Sequence, residues 1–212
     1  MLSSEGKFYK IGSVLADIVI ASILWIVFSL PIITIGAATT GLYYACTKKV
    51  SGKDGYFIQD FLNSFRENFK RATIVFLMLS TITFLIVFNI IIGRDMDLNI
   101  VVRIVQWFVL LQLIFAFMYA FALLSRFELT IIENLKAAFI MANKHMFTTL
   151  TNLGFLLAIA LISIYFTIVT VFIMGLYIYL SSIFFVKIFR KHYPDFDKPV
   201  DGEIKPLKLD DR

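Results

Sequence analysis

Residues 72–93 read ATIVFLMLSTITFLIVFNIIIG and contain no Asp, Glu, Lys, Arg or His. A helix needs about 20 apolar residues to cross the hydrocarbon core of a bilayer. Residues 104–125 form a second uncharged run of 22 residues, and residues 146–186 form a third of 41 residues. As a helix the third run would be about 62 Å long, which is enough for two crossings. These runs predict four transmembrane helices, over residues 72–93, 104–125, 148–168 and 170–190.

The region before these runs is also apolar, but its length is ambiguous. Residues 18–47 are 30 consecutive uncharged residues, which is long for one crossing and short for two. Pro31 divides the region, because proline lacks a backbone N–H and disfavours helix at the residue before it. We therefore expect spans over residues 11–30 and 32–47, either as a hairpin or as a helix followed by a re-entrant half-helix.

The distribution of basic residues supports two passes of this first region. Short loops rich in Lys and Arg face the cytoplasm. With two passes, 18 of the 20 Lys and Arg residues lie on the cytoplasmic side, together with both termini. A single pass places 16 on that side and moves the N-terminal tail outside. Because the apolar region runs on through Tyr44, it also argues against a cleaved signal peptide. The net charge of +5 is explained by basic residues beside anionic lipid, without nucleic-acid binding.

Two segments have the spacing of amphipathic helices, residues 55–71 and residues 128–147. Their apolar residues recur at i, i+3, i+4, i+7 and i+11, which places them on one helix face. In the first segment they are Ile58, Phe61, Leu62, Phe65 and Phe69, and in the second Leu135, Ala138, Phe139, Ala142 and Met146. Each stripe runs into a pair of predicted spans, which suggests that the chain contains two related units. The alternative is that the two stripes are unrelated, because any helix beside a membrane shows such a stripe.

Together these patterns predict an all-α membrane protein with about six transmembrane crossings and two cytoplasmic amphipathic helices. Residues 1–192 form a single membrane domain in this interpretation, and residues 193–212 form a polar cytoplasmic tail. The lipid bilayer is the first partner that such a chain requires.

The densest local motif, residues 25–44, reads WIVFSLPIITIGAATTGLYY. Gly36 with Thr40, and Ala37 with Gly41, are pairs of small residues four apart, which let helices approach closely in a membrane. The hydroxyls of Thr34, Thr39 and Thr40 can bond the carbonyl groups that Pro31 leaves free. The motif is either a broken helix lining a substrate cavity or a tight structural hairpin. Its candidate residues are Trp25, Pro31, Thr34, Gly36, Thr39, Thr40 and Gly41.

Asp17 is the only carboxylate inside an apolar segment. An ionisable side chain within a membrane is a candidate proton or cation site. Asp17 also lies less than two turns from the start of its segment, where it could be hydrated or paired with Lys10.

We expect no enzymatic activity, cofactor or metal. The chain has two histidines, His145 and His192, and neither lies in a His–carboxylate cluster or beside a nucleophile motif. Metal ligands are scarce in the predicted spans. The amides of Asn89, Gln106, Gln112 and Asn152 are expected to form interhelical hydrogen bonds instead.

The same motif resembles the YesL-like family of bacterial membrane proteins, a family of unknown function. The matching residues are Leu24-Trp25, Leu30-Pro31, Thr34-Ile35-Gly36, Ala38-Thr39 and Leu42-Tyr43-Tyr44. Further along the chain, Phe61, Phe65 and Asn68-Phe69-Lys70 are similar to the family's cytoplasmic pattern. Ala37 departs from it, since many members have proline there. The resemblance is specific over residues 15–72 and implies a location in the bacterial cytoplasmic membrane. Genes of such proteins often lie beside genes for ATP-binding cassette (ABC) systems of carbohydrate uptake, so the resemblance also implies an accessory role in sugar import.

The leading functional hypothesis is a non-enzymatic accessory or scaffold protein that assists such an uptake system. It would contact partner subunits, such as ABC permeases, through residues 36–41 and through the two cytoplasmic amphipathic helices. On the first of these helices the candidate face consists of Phe61, Phe65, Asn68, Phe69 and Lys70. The alternative is a small-molecule transporter or channel with a cavity around Pro31, Thr34 and Asp17. A third hypothesis is a membrane signalling component whose cytoplasmic loops dock a partner. The sequence does not distinguish it from the accessory role.

Overall fold

The computed structural model describes residues 3–53, 55–95 and 99–192, and within these ranges the chain is helical without strands. Short 3-10 turns occupy residues 32–34 and 93–95. The predicted tail, residues 193–212, lies outside the described residues. The α-helices are α1 Ser3–Phe28, α2 Ile35–Val50, α3 Phe57–Ile92, α4 Ile100–Leu124, α5 Ile131–Lys144, α6 Met146–Tyr165 and α7 Thr167–His192.

Four helical stretches of the described chain are long and apolar enough to cross a membrane. They are Phe57–Ile92, Ile100–Leu124, Met146–Tyr165 and Phe172–His192. The apolar part of α1, Gly12–Phe28, is shorter. The predicted all-α fold is confirmed for the described residues, and four helices have the length and apolar character of membrane spans. The number of crossings, including those by residues 11–47, stays a prediction.

The first amphipathic segment is not a separate helix, because α3 runs without interruption for 36 residues from Phe57 to Ile92. No glycine or proline lies between the amphipathic stripe and the apolar run, so the backbone hydrogen bonds continue from one to the other. At about 1.5 Å per residue, α3 is roughly 54 Å long. It therefore extends well beyond the thickness of a hydrocarbon core.

The second amphipathic segment is a separate helix, α5. It begins with a capping box in which the Thr130 hydroxyl accepts from the Glu133 N–H while the Glu133 carboxylate accepts from the Thr130 N–H. These hydrogen bonds lower the pKa of Glu133. Between α5 and α6 the backbone turns at His145, where φ is −113° and ψ is 48°. The two proposed units therefore differ, since the first contains one long helix and the second a bent pair.

The core lies towards one end of the molecule. We call this the Lys48 end, where α2 ends and α3 begins, and we call the opposite end, where α3 leads to α4, the Arg94 end. In α4 the buried residues lie between Phe115 and Leu124, and in α3 none of the buried residues lies beyond Leu79. The halves of α3 and α4 towards the Arg94 end expose large apolar side chains such as Phe84 and Phe108. The α3–α4 hairpin therefore projects from a core that α1, α2, α5 and α7 complete.

Candidate functional site

The chain breaks at Pro31, between the end of α1 at Phe28 and the start of α2 at Ile35. The hydroxyl of Thr34 donates within this break, with the Phe28 carbonyl oxygen at 2.6 Å and the Pro31 carbonyl oxygen at 2.7 Å. Thr34 thus satisfies carbonyl groups that the interrupted helix leaves open, as the sequence predicted. Its side chain is buried and fully engaged by the backbone.

Thr39 and Thr40 have a different role from the predicted one. Thr39 donates to the Ile35 carbonyl oxygen at 2.7 Å, and Thr40 donates to the Gly36 carbonyl oxygen at 2.9 Å. Both acceptors lie one turn earlier in α2, because a hydroxyl on a continuous helix reaches the carbonyl four residues before it. The prediction that these two hydroxyls bond carbonyls freed by Pro31 was wrong.

Trp25 joins the two helices of the first region. Its indole Nε1 donates to Thr39 Oγ1 over 3.1 Å, which links α1 to α2. A buried indole N–H usually finds such a partner. Trp25 therefore acts in packing between α1 and α2.

Gly36 lies where α2, α3 and α4 meet. A Cβ atom at Gly36 would lie 2.5 Å from the Ala72 carbonyl oxygen, 2.7 Å from Phe76 Cβ and 3.0 Å from Phe121 Cε1. Gly41 is similarly close to α3, since a Cβ there would lie 3.0 Å from the Phe61 carbonyl oxygen. Only residues without side chains allow these helices to approach so closely.

The small-residue surface of residues 36–41 therefore does not face a partner subunit. It is buried against α3 of the same chain, with Ala37 and Ala38 fully enclosed. The assignment of this surface to partner contact was wrong. The packing favours the tight structural hairpin over a helix that lines a cavity at Thr34 and Gly36.

The predicted cytoplasmic face on α3 is also largely used inside the molecule. Phe61 and Asn68 are buried, and Asn68 Nδ2 donates to the Ser64 carbonyl oxygen at 3.1 Å. The Phe28 ring from the end of α1 packs edge-on against Phe61 and Phe65, with centroids 5.2 and 4.9 Å away. Phe69 and Lys70 remain exposed at the end of the stripe. The stripe identified a real apolar face, but α1 and α2 cover most of it.

Asp17 is buried on α1 and lies beside a lysine of α2. The Lys49 ammonium is 3.0 Å from Asp17 Oδ2. Because Oδ2 has no well-aligned hydrogen-bond donor among the described residues, the contact is electrostatic. The expected pairing with a lysine is present, but the partner is Lys49, and the side chain of Lys10 lies outside the described residues.

The last turn of α2 connects α1, α3 and the segment after α4 through consecutive residues. Thr47 Oγ1 accepts from Arg126 Nε at 2.7 Å, which brings in the segment after α4. Lys48 pairs with Asp60 of α3 at 2.7 Å, and Lys49 pairs with Asp17 of α1 as described above. Cationic groups near the C-terminal end of a helix are favoured by the helix dipole. We call Thr47, Lys48 and Lys49 the α2 junction.

The α1–α2 hairpin reaches only part of the way along α3. Close to the Pro31 break, Gly36 contacts Ala72 and Phe76, whereas α3 continues from Phe76 to Ile92. That remaining part of α3 is roughly 24 Å long. The tip of the hairpin therefore lies well short of the Arg94 end.

His145 and His192 form a pair that was not predicted from the sequence. Their Nε2 atoms are 2.8 Å apart, and their rings meet edge-on with centroids 4.9 Å apart. Partial burial lowers the pKa of His145, and His192, Lys191 and Lys144 lower it further. The available signal was that His145 directly precedes the uncharged run of residues 146–186 and that His192 lies shortly after it. A run that folds back as the antiparallel helices α6 and α7 brings its two ends together.

Several predicted amide contacts are present. Gln106 Nε2 donates to Asn89 Oδ1 at 2.6 Å between α4 and α3. Gln112 and Asn143 exchange two hydrogen bonds, at 3.2 and 3.1 Å. Asn152 is buried with neither amide atom hydrogen-bonded within the described parts of the chain, so the expected bond is not observed there.

Residues 18–90 match the family described as a protein of unknown function, DUF624. The match covers α2, residues 18–28 at the end of α1, and almost all of α3. It therefore includes the Pro31 break, the Gly36 contact and the α2 junction. No curated protein and no solved structure matches the chain.

Proposed function

We propose that this protein is a non-enzymatic accessory subunit of the bacterial cytoplasmic membrane, and that it assists an ABC-type carbohydrate uptake system. The observation that carries the proposal is the outer face of α1. Gly12, Ala16, Val19 and Ile23 recur at i, i+4, i+7 and i+11 and are all exposed. Among the described residues, and apart from the neighbouring backbone of α1 itself, no atom would lie within 4 Å of a Cβ atom at Gly12.

This face combines two properties of membrane helix interfaces. Gly12 and Ala16 form a small-residue pair four apart, which allows a second helix to approach the α1 backbone. Val19 and Ile23 continue the same face with apolar side chains, 40% and 52% exposed. The internal pair of Gly36 and Thr40 is already covered by α3. The partner contact therefore belongs on α1, and the occupant is a transmembrane helix of a permease subunit.

The proposal includes an orientation. Both termini and the α2 junction lie on the cytoplasmic side, where most of the basic residues are collected. Residues 11–47 enter the membrane and return as a re-entrant hairpin. The short reach of the hairpin along α3 supports this arrangement, since its tip packs at Ala72 and Phe76.

The test is purification of the tagged protein from its native membranes in a mild detergent. We expect an ABC permease subunit to copurify, identified by mass spectrometry. The double variant Gly12→Leu, Ala16→Leu should lose it, because leucine at both positions prevents close helix approach. Gly154→Leu is the matched control, since Gly154 has open space around it on α6. Recovery of a homomeric protein that takes up sugar by itself in liposomes would refute the accessory role.

A further inference from the structure

A groove of about 500 Å³ lies between α1 and the first turns of α3. Its apolar wall includes Ile20 of α1 and Phe57 and Leu62 of α3. Its polar wall consists of Gln59, Asn63 and Arg66, which recur at i, i+4 and i+7 along α3. The groove therefore has one apolar side and one side of hydrogen-bond donors that ends in a cation.

The cation of this groove is available to a ligand. Among the residues that the structure describes, Arg66 forms no ion pair. The nearby carboxylate of Asp60 is engaged by Lys48 at 2.7 Å. The Arg66 guanidinium has five N–H groups in a planar arrangement that suits phosphate oxygens. An anionic phosphate group is therefore the complementary polar ligand.

The position of the groove relates it to the bilayer surface. Arg66 lies six residues before Ala72, where the uncharged run of α3 begins, which is about 9 Å along the helix axis. Ile20 belongs to an apolar helix whose exposed side chains require a lipid environment. A basic side chain at this depth lies at the level of lipid headgroups, and the cytoplasmic leaflet is rich in anionic lipids.

We propose that this groove binds one anionic phospholipid, with its phosphate at Arg66 and an acyl chain along Ile20 and Leu62. Gln59 and Asn63 donate to the glycerol and headgroup oxygens. The bound lipid fills the gap between α1 and α3 and holds the first hairpin against the long helix. An anionic lipid is favoured over phosphatidylcholine because its headgroup brings no ammonium group close to Arg66, whereas choline would place a second cation beside the guanidinium.

The proposal is tested by titrating the delipidated full-length protein in mild detergent with phosphatidylglycerol and measuring lipid-bound protein by native mass spectrometry. Arg66→Gln should weaken binding about tenfold, because a charge-assisted contact is lost. Arg71→Gln is the matched control: it removes the same charge from the same helix but does not line the groove. Phosphatidylcholine and soluble glycerol phosphate should bind weakly to the wild type.

A second variant tests the groove itself. Asn63 is exposed, so Asn63→Trp fills the groove without entering the core, and it should reduce phosphatidylglycerol binding as strongly as Arg66→Gln. Equal weakening by Arg66→Gln and Arg71→Gln would show general surface attraction and overturn the proposal. Unchanged binding by Asn63→Trp, or equal binding of glycerol phosphate and the lipid, would also overturn it.

Discussion

Lys49 at the end of α2 lies 3.0 Å from Asp17 of α1, and this ion pair closes the first hairpin. The two partners differ in their exposure. The side chain of Asp17 is 10% exposed, whereas that of Lys49 is 43% exposed. Asp17 therefore depends on Lys49 for compensation of its charge, while water can solvate the lysine.

The asymmetry predicts unequal effects of removing each partner. Lys49→Gln leaves a buried carboxylate without its cation and should lower the free energy of unfolding by about 1–3 kcal/mol. Asp17→Asn should cost less, because an exposed ammonium remains hydrated. Thermal unfolding in detergent micelles measures both, and the double variant should recover part of the loss of Lys49→Gln. Equal costs for the two single variants would contradict this reading of the pair.

Because α2 and α3 approach closely at Gly36, adding one methyl group there should strongly destabilise the fold. Gly36→Ala places Cβ 2.5 Å from the Ala72 carbonyl oxygen, so α2 and α3 must move apart, at a cost of about 1–3 kcal/mol. Gly154→Ala on α6 is the control, since open space surrounds Gly154 and alanine is the better helix former by about 1 kcal/mol. Thermal unfolding should show a lower midpoint for the first variant and an unchanged or higher one for the second.

Loss of the indole hydrogen bond of Trp25 should lower the unfolding free energy by less than Gly36→Ala does. Trp25→Phe keeps most of the ring but loses the hydrogen bond to Thr39, and we expect a loss of about 1 kcal/mol in unfolding free energy. Trp107→Phe is the control, because Trp107 is 60% exposed near the Arg94 end. If both variants unfold at the wild-type temperature, the Trp25 contact contributes nothing to stability.

The histidine pair predicts a dependence of stability on pH. The pKa of His145 in the folded protein lies below its ordinary value of 6.5, so the unfolded chain binds protons more readily. Stability should be constant above about pH 7 and should fall as the pH drops through 6.5 and then through the lower folded pKa. Unfolding midpoints between pH 8 and pH 5 measure this, and His145→Gln should flatten the lower part of the curve. A wild-type stability that rises on acidification would contradict the sign.

The proposed re-entrant hairpin predicts the accessibility of its tip. In Leu30→Cys the new thiol replaces a side chain that is 76% exposed, and in Arg94→Cys it lies at the Arg94 end. An impermeant maleimide added outside intact cells should label Arg94→Cys and leave Leu30→Cys unlabelled. The native Cys46 is buried and gives little background. Labelling of both variants from outside would instead indicate that α1 crosses the membrane completely.

The long uncharged runs were sufficient to predict most of the helices, because membrane insertion depends mainly on local length and hydropathy. The break at Pro31 was also predictable, since proline removes a local hydrogen-bond donor. The joining of the amphipathic stripe to the next span in α3 was missed. Nothing between residues 69 and 74 interrupts a helix, but the change in amphipathic pattern suggested a boundary.

The small residues of the motif predict a close contact but do not identify the helix that makes it. Gly36 and Gly41 indicate a close helix contact, but the sequence does not say whether the neighbour is another subunit or the same chain. The structure places α3 there. The pairing of His145 with His192, which are 47 residues apart, likewise depends on how α6 and α7 pack.

By itself, the sequence determined that this chain folds as helices with long apolar segments and a break at Pro31, because each of these properties belongs to a short stretch of residues. Only the tertiary structure decided that Asp17 meets Lys49, that Gly36 is covered by Ala72 and Phe76, and that a groove forms beside Arg66. Those contacts join residues distant in the chain, and helix packing selects them through shape and charge that no single segment contains.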